Sequence, residues 1–425
     1  MPNRKIFISM LGTGLYEKCR YQKDSFVSSS TCFIQQAALE YINAKSWNKD
    51  DIALFLLTDK ARQYNWNKDI MLRKKPNGQE VAYQGLEKIL QDMNLPCLIE
   101  NIPIPEGKNE GEFWEIFNKA YSAIGNGDEI YLDVTHGFRV LPMLMLIFCN
   151  YAAFLKNAKV KHISYGAFEA KDENNSAPLI DLLPFVSLQN WTSAASNFLI
   201  DGNVKELADL TKEEVSPIAK DATHPKSNLA RLLNGYVSCI ERIVEDFQTC
   251  RNISVVSGKN IKELRQKHPE LTEIIIAPLK PIIEKINASL SELSDFENIK
   301  NGYIAAKWCV EHNLYQQALT ILEENMISDL LGEFGFLQTN KEKRNFVSNA
   351  LSFEAETKIC ESEKEEFKII SQNEKLKNYR GLFNKIRELR NDYNHAGMRD
   401  EQMKAGHIKS KIKKYLDEAL QLIDR

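Results

Sequence analysis

The chain has 425 residues, which is too long for one compact core and suits two or three domains. Its hydrophobic content of 43% and its charged content of 27% are ordinary for a globular protein. The net charge of -3 excludes a chain that is basic throughout, so any contact with RNA must come from a local patch.

Cysteine spacing and hydropathy exclude further classes of protein. No two cysteines have CxxC spacing, so neither a zinc ribbon nor a thioredoxin motif is predicted. Without a disulfide framework, we expect reduced thiols and a cytoplasmic location. The N-terminus runs straight into a strand-like segment and is not typical of a signal peptide. The longest apolar stretch, 140–155, is interrupted by Pro142 and Asn150 and is too short to span a membrane, so no membrane contact is expected.

The first 185 residues alternate between strand and helix signals. Short apolar runs that end in small or polar residues predict buried strands at 5–12 and 51–58. Further strands are predicted at 128–135 and 160–166, and the segment at 96–104 is strand-like. Amphipathic stretches predict helices at 33–44, 81–93 and 113–124, and another that ends at residue 155. This alternation predicts a mostly parallel sheet with helices on both faces.

The pattern changes after residue 191, where strand signals vanish apart from the ambiguous 253–256. Amphipathic periodicity predicts helices at 190–208, 229–247, 271–293, 303–312, 315–331, 362–389 and 405–423. A polar segment at 211–226, which contains Pro217 and Pro225, is predicted to be a linker. The fold class is therefore predicted to be α/β followed by all-α.

Four predicted strands of the first part end in residues that suit an anionic ligand. In open α/β sheets, ligands bind outside the carboxyl ends of the strands. Glycine lets a ligand approach the backbone, while threonine hydroxyls, backbone N–H groups and helix N-termini suit phosphate oxygens. The candidate binding residues are Gly12, Thr13, Gly14, Thr58, Asp59, Lys60, Thr135, His136, Gly137, Phe138 and Arg139.

Other interpretations of these residues stay open. Glycines at a strand–helix turn are often structural, and a second interpretation of His136 is that it caps the following helix. The first loop is not a full dinucleotide fingerprint, because Glu17 occupies the third glycine position. No GxxxxGK[ST] sequence occurs, so a P-loop NTPase is excluded.

The string LDVTHGFRVLP at 132–142 is similar to the signature of CARF domains in CRISPR-associated proteins of type III systems. SMLGTG at 9–14, TDKA at 58–61 and YGAFEA at 165–170 fit the same family. The resemblance covers the whole N-terminal half. It implies a Rossmann-like domain that dimerises and binds a cyclic oligoadenylate, a tetra- or hexa-adenylate, across its two-fold axis.

The helical part contains one R-x4-H motif, Arg390 to His395, and no other arginine has a histidine five residues on. Taken alone, the motif also fits a solvated helix face with His395 near a helix end stopped by Gly397. In an all-α domain that follows a CARF-like domain, the motif resembles the active-site motif of HEPN ribonucleases. The resemblance implies catalytic roles for Arg390 and His395, and for Asn391, which directly follows Arg390.

A second segment, LYQQALTILEEN at 314–325, is similar to an early helix of CARF-linked HEPN domains. Its glutamates, Glu323 and Glu324, are interpreted as structural residues that face solvent. The predicted domains are a CARF domain at 1–190, a helical linker or insert without an assigned role at 191–300, and a HEPN ribonuclease domain at 301–425.

Arginine and histidine suit metal-free cleavage of single-stranded RNA by its own 2′-hydroxyl. Histidine can serve as acid or base, and arginine can grip the phosphate. One histidine cannot conveniently do both jobs in one step, and residues i and i+5 lie about 140° apart on a helix. We therefore expect a composite site in a homodimer or higher oligomer. No cofactor or metal is expected, because no cluster has metal-ligand spacing.

Three other functions remain open at this stage. The chain could be a sensing and dimerisation module with an inactive HEPN domain. Its CARF domain could cleave its own ring activator, with Thr13, Thr135 and Lys60 as candidates for helping. It could also be a conventional nucleotide-dependent enzyme with a helical cap, although the broken glycine pattern and the missing P-loop lysine count against this.

Overall fold

A computed structural model of the chain describes residues 3–67, 70–74, 78, 80–136, 141–268, 279–352, 364–398 and 403–423. The chain divides into two compact units, Met1–Ser187 and Leu188–Arg425. The first is α/β and the second is helical, so the predicted fold class is confirmed. The further division of the helical part at residue 300 stays a prediction.

The first unit is built on an eight-stranded sheet with the order β3-β2-β10-β9-β8-β1-β4-β7. Its strands are β1 (Lys5–Met10), β2 (Arg20–Lys23), β3 (Phe26–Val27), β4 (Ile52–Leu57), β7 (Leu98–Pro103), β8 (Glu129–Asp133), β9 (Lys159–Gly166) and β10 (Ser176–Asp181). A separate hairpin pairs β5 (Ile70–Lys74) with β6 (Glu80–Gln84). The five strands from β9 to β7 are mutually parallel, so their carboxyl ends share one edge.

Helices cover both faces of this sheet. They are α1 (Ile34–Tyr41), α2 (Asp59–Ala61, continued by a π turn at Arg62–Trp66), α3 (Leu86–Asp92), α4 (Glu110–Ala123) and α5 (Leu141–Lys156). Along β1, Ile6 and Ile8 enter one hydrophobic core while Phe7 enters the other. This alternation explains why the strand reads as a continuous apolar run in the sequence.

Two predictions for the first unit are wrong in part. The predicted helix at 81–93 begins only at Leu86, because its first residues form β6. Gly85 separates the two elements, and a side chain there would overlap the backbone carbonyl of Asn67. The strands β2, β3, β5 and β10 were not predicted, and β10 contains Pro178, which weakens a strand signal.

The second unit consists of α6 (Leu183–Asp201, which crosses the division), α7 (Lys205–Leu210), α8 (Ser216–Lys220), α9 (Ser227–Gln248), α10 (Asn252–Ser257), α11 (Lys259–Lys267), α12 (Lys280–Ser289), α13 (Lys300–Glu311), α14 (Tyr315–Glu333), α15 (Lys341–Leu351), α16 (Lys364–Ser371), α17 (Glu374–Asn394) and α18 (Ala405–Ile423). Its described residues include no strand, and the ambiguous 253–256 is helical. The central helix α14 is buried along most of its length and packs against α13, α17 and α15.

Two other predictions for this unit need correction. The predicted linker at 211–226 is partly helical and packed, because Val215 and Ala219 are buried in the core. The predicted helix at 362–389 is interrupted before Asn373, whose side chain accepts a hydrogen bond from the N–H of Leu376 and so starts α17. Residues 271–278 of another predicted helix lie outside the described residues. Within the described ranges, no helix combines the length and apolar content that a membrane span requires.

Candidate functional site

The sheet edge brings the described ligand candidates together. β9, β8, β1 and β4 are neighbouring parallel strands, so the residues that follow them meet at one edge. Gly12, Thr13, Gly14, Thr58, Asp59, Lys60, Thr135 and His136 all follow these strands directly. The other three candidates, Gly137, Phe138 and Arg139, lie outside the described residues.

The loop after β1 is held by two residues that sequence reasoning missed. The buried Asn65 donates from Nδ2 to the carbonyl oxygens of Gly12, at 2.7 Å, and Gly14, at 2.9 Å. Arg73 of the β5–β6 hairpin donates to the carbonyl oxygens of Thr13, at 3.1 Å, and Gly14, at 3.0 Å. The backbone of this loop is therefore fixed from two sides. The PNG sequence at 76–78 was the available signal for the hairpin.

His136 belongs to an aromatic pair with Tyr16. The two rings stack with their centroids 4.4 Å apart. Burial lowers the pKa of His136 below its ordinary value, although Asp133 and Glu169 act in the opposite direction, so the ring is neutral near pH 7. A side chain at Gly12 would overlap the Tyr16 hydroxyl group, so the glycine gives this pair its space.

The end of β8 is organised by the buried carboxylate of Asp133. It accepts hydrogen bonds from Ser9 Oγ at 2.6 Å and from Thr135, through its N–H at 3.1 Å and its Oγ1 at 2.6 Å. Thr135 Oγ1 in turn accepts from the N–H of Gly166 at 2.8 Å. These bonds tie the ends of β1, β8 and β9 together. The Thr135 hydroxyl group donates its proton to Asp133, so this proton is not available to a ligand.

The end of β4 presents an exposed cation. Thr58 caps α2, because its Oγ1 accepts from the N–H of Ala61 at 3.2 Å. Lys60 is exposed in the first turn of that helix and has no carboxylate partner among the described residues. A second lysine near this edge, Lys171, is already paired with Glu17 at 3.0 Å. Lys60 therefore has its charge available for a ligand.

In the helical unit, Arg390 is held against a buried carboxylate. Its Nε lies 3.0 Å from Oε2 of Glu323, and Arg387 Nε lies 3.9 Å from the other carboxylate oxygen. Glu323 is only 2% exposed, so the interpretation that it faces solvent is wrong. Burial raises the pKa of Glu323, while the two arginines oppose that shift. Glu324 is partly exposed and pairs with Arg344.

His395 lies just beyond α17 and is exposed. Its N–H donates to the carbonyl oxygen of Asn391 at 3.0 Å. The predicted helix end at Gly397 is confirmed. This glycine has a φ of +69°, and its N–H donates to the carbonyl oxygen of Asp392. Arg390 thus contacts α14, whereas His395 is directed to a solvent-accessible turn.

Two other helices flank the His395 turn. At the start of α14, Gln316 Nε2 donates to Asn394 Oδ1 at 3.1 Å. At the start of α18, Lys409 Nζ lies 5.4 Å from the ring centroid of Tyr315. These neighbours were not predicted, because they come together only through tertiary packing. Among the described residues, no group of three or more His, Cys, Asp or Glu side chains is placed to hold a metal ion.

Comparison with known proteins identifies the first unit. Residues 6–169 match the family described as CRISPR system endoribonuclease Csx1, CARF domain. The chain is also 26% identical over 227 residues to the CRISPR-associated protein MJ1674 of Methanocaldococcus jannaschii. That match covers 52% of this chain and 32% of the relative, so the chain spans about a third of the length of the protein it matches. The first unit therefore contains a CARF domain of the kind found in CRISPR-associated proteins.

Proposed function

We propose that this protein is a metal-independent endoribonuclease that cuts single-stranded RNA and is activated by cyclic oligoadenylate in type III CRISPR antiviral defence. CARF domains bind cyclic oligoadenylate, and the matched CARF family is typically linked to ribonuclease effectors. The observation that carries the proposal is the environment of the R-x4-H motif. Arg390 is fixed by the buried Glu323, and His395 is exposed at the end of the same helix.

The proposed reaction is a transesterification. The 2′-hydroxyl loses its proton to one His395 and its oxygen forms a bond to phosphorus. The bond from phosphorus to the 5′-oxygen breaks, and the leaving oxygen takes a proton from a second His395. Arg390 stabilises the extra negative charge on the phosphate. The products are a 2′,3′-cyclic phosphate and a 5′-hydroxyl.

This scheme needs two copies of the motif, and α5 offers a surface for self-association. Its inner face, including Phe148 and Cys149, is buried in the sheet core. Its outer face is also apolar, with Met143 at 68% and Phe154 at 84% exposure. Ile147 and Tyr151 extend the same stripe. A helix that is hydrophobic all round is normally buried on all sides.

A second copy of the chain fits this stripe better than a charged partner does. α5 has no charged residue before Lys156, so two copies can meet without repulsion between like charges. An isologous interface requires a patch that complements itself, and an uncharged apolar stripe does so. A dimer through α5 would pair two ligand edges as well, because α5 follows Thr135 and His136 in the chain.

The direct test is RNA cleavage with and without cyclic tetra- or hexa-adenylate. We expect stimulation by one ring and loss of cleavage in His395→Ala, with products that carry a 2′,3′-cyclic phosphate. His224→Ala is the matched control, because His224 is a partly exposed histidine of the same unit that belongs neither to the R-x4-H motif nor to α18. Unchanged cleavage by His395→Ala contradicts the catalytic assignment. Normal ring binding without cleavage under any ligand supports an inactive sensing module instead.

Ligand binding is tested separately at the sheet edge. Lys60→Ala should weaken ring binding because it removes an exposed cation at the carboxyl end of β4. Lys49→Ala is the control, because Lys49 is exposed near the amino end of the same strand. Equal ring affinities for the two variants would remove Lys60 from the site. Cleavage of the ring itself, measured in the same samples, would reveal ring nuclease activity.

A further inference from the structure

The first part of α18 is strongly basic, although the chain as a whole is acidic. Between residues 404 and 414 there are five lysines and no acidic residue, in a chain of net charge -3. We define the α18 basic surface as the exposed Lys404, Lys409, Lys411 and Lys413. These four lysines have no carboxylate partner among the described residues, whereas Lys414 lies 3.8 Å from Glu418.

The opposite side of α18 fixes this surface to the helical unit. Ile412, Leu416 and Ala419 are buried in the core, so the helix is anchored by an apolar face. The lysines are therefore presented on a packed scaffold. A purely solubilising role requires no such clustering, since acidic residues or mixed charges serve solubility equally well.

The α18 basic surface lies beside the turn that carries His395. Lys409 Nζ is 5.4 Å from the ring centroid of Tyr315, and Tyr315 is followed by Gln316, which donates to Asn394. Asn394 immediately precedes His395. The first turn of α14 thus contacts both the basic surface and the end of α17. This juxtaposition is independent of the Arg390–Glu323 pair.

We propose that the α18 basic surface binds the phosphates of single-stranded RNA next to the bond that is cut. This inference rests on the proposed function for the position of the cut. Lysines neutralise successive phosphates and release counterions without reading the bases. On an ideal helix Lys411 projects about 160° away from Lys409 and Lys413, so the surface spans both flanks of the exposed side, and a strand that crosses the helix meets lysines of both flanks. The surface adjoins the His395 turn, where the proposed cut in RNA is made, and this position favours RNA over an acidic protein.

The test measures RNA binding in a His395→Ala background, so that it does not depend on cleavage. The variant is Lys404→Gln/Lys409→Gln/Lys411→Gln/Lys413→Gln, and the probe is a fluorescent single-stranded RNA of mixed sequence. The matched control replaces four exposed lysines of the same unit: Lys259, Lys262, Lys280 and Lys285, each by Gln. A third protein replaces the four surface lysines by Arg, which keeps the charge. Circular dichroism checks the fold of all three.

We expect the Gln variant to bind RNA at least about tenfold more weakly at low salt. The slope of log Kd against log salt concentration should fall by about 2 or more, from about 0.7 for each lost phosphate contact on a single strand. The control and the Arg variant should match the parent. Equal affinity and slope in the Gln variant and the control overturn the inference, as does tighter binding of polyglutamate than of RNA.

The two proposals can fail separately. If the active protein cleaves no RNA with any ring but the Gln variant still loses RNA binding, the proposed nuclease function fails and the binding surface stands. If the parent protein cleaves RNA in a ring-dependent way while the Gln variant binds RNA like the control, the surface inference alone fails.

Discussion

At the scale of single residues, the pair of Glu323 and Arg390 makes stability and activity hard to separate. A buried carboxylate that loses its partner is costly, because burial disfavours its charged form. Arg390→Ala leaves Glu323 with Arg387 alone, 3.9 Å away. Under the proposed function, a loss of RNase activity in Arg390→Ala therefore has two causes: the missing charge at the phosphate and the uncompensated charge of Glu323.

A double variant separates these causes. Arg390→Ala should lower the free energy of unfolding by about 3 kcal/mol, because Glu323 stays buried without its nearest cation. Adding Glu323→Gln should restore much of that loss, because it removes the buried charge. Urea unfolding of the two variants checks this, with exposed Lys377→Ala on the same helix as the control. No recovery in the double variant would show that the carboxylate charge is not the cause.

Another titratable residue, Asp181 in the first unit, predicts a pH-dependent stability. Its burial acts to raise its pKa, but hydrogen bonds from His162 and Leu183 and the charge of Lys23 outweigh this and hold the pKa at about 2, below the ordinary 3.8. The folded state therefore holds the proton less tightly than the unfolded state does. This contribution to stability is present above about pH 4 and is lost as the pH falls towards 2.

The variant Asp181→Asn should remove this contribution. Near neutral pH it should cost about 2 kcal/mol of unfolding free energy, and the difference from the parent should shrink between pH 4 and pH 2. Exposed Asp50→Asn, which lacks such partners, is the control. A difference that stays constant over this pH range would show that the charge of Asp181 does not carry the effect.

At the scale of elements, the sequence of α5 is typical of a helix that is buried on both faces. It is apolar on both faces, but the described chain covers only one. Placing each exposed aliphatic or aromatic side chain of the stripe in an interface is worth roughly 1.5–3 kcal/mol. A few such side chains suffice for stable association.

Charge on this stripe should prevent dimerisation. Ile147→Glu/Phe154→Glu places carboxylates directly in the proposed contact, so sedimentation should show monomers at concentrations where the parent is dimeric. RNase activity should fall as well, because the proposed composite site needs two subunits. Leu337→Glu is the control, since Leu337 is 77% exposed in the second unit. An unchanged dimer in the double variant would place the interface elsewhere.

The elements also show how much of the fold and of the site could be predicted from the sequence. The five parallel strands were predicted to within about two residues, because each contains several apolar residues next to a turn or polar segment. β4 is apolar throughout, whereas β7 contains Glu100 and Asn101. The β5–β6 hairpin was missed because its second strand merges with a helical period at Val81. Because the hairpin was missed, the predicted site did not include Arg73, which holds the loop after β1. Asn65 was missed because a buried amide leaves no local pattern in a sequence.

At the scale of the whole molecule, the proposed activation requires that ring binding and RNA cleavage be linked by free energy. A ring that activates the nuclease must bind the active arrangement more tightly than the inactive one. Coupling of this kind is reciprocal for binding, so RNA must alter ring affinity by the same factor. The sequence predicts both ends of this linkage by resemblance, and the comparisons support the CARF end. The coupling energy depends on the difference between two states, which the sequence does not reveal.

This reciprocity is measurable in the His395→Ala protein, which should bind both ligands without turnover. We expect RNA affinity to rise several-fold at saturating ring, and ring affinity to rise by the same factor at saturating RNA. Titration calorimetry in both orders gives the two factors. If RNA binding is indifferent to the ring while cleavage still depends on it, activation acts on the chemical step and not on substrate binding.

The π turn at Arg62–Trp66 has a consequence for how the ligand edge evolves. Its wider winding accommodates one more residue than an α-helical turn and brings Asn65 under the loop after β1. Deleting a single residue upstream in that turn would rotate Asn65 by about 100° and free two carbonyl oxygens at once. Relatives with a shorter turn here are thus expected to recognise their ligand through a differently shaped first loop, even where every glycine is retained.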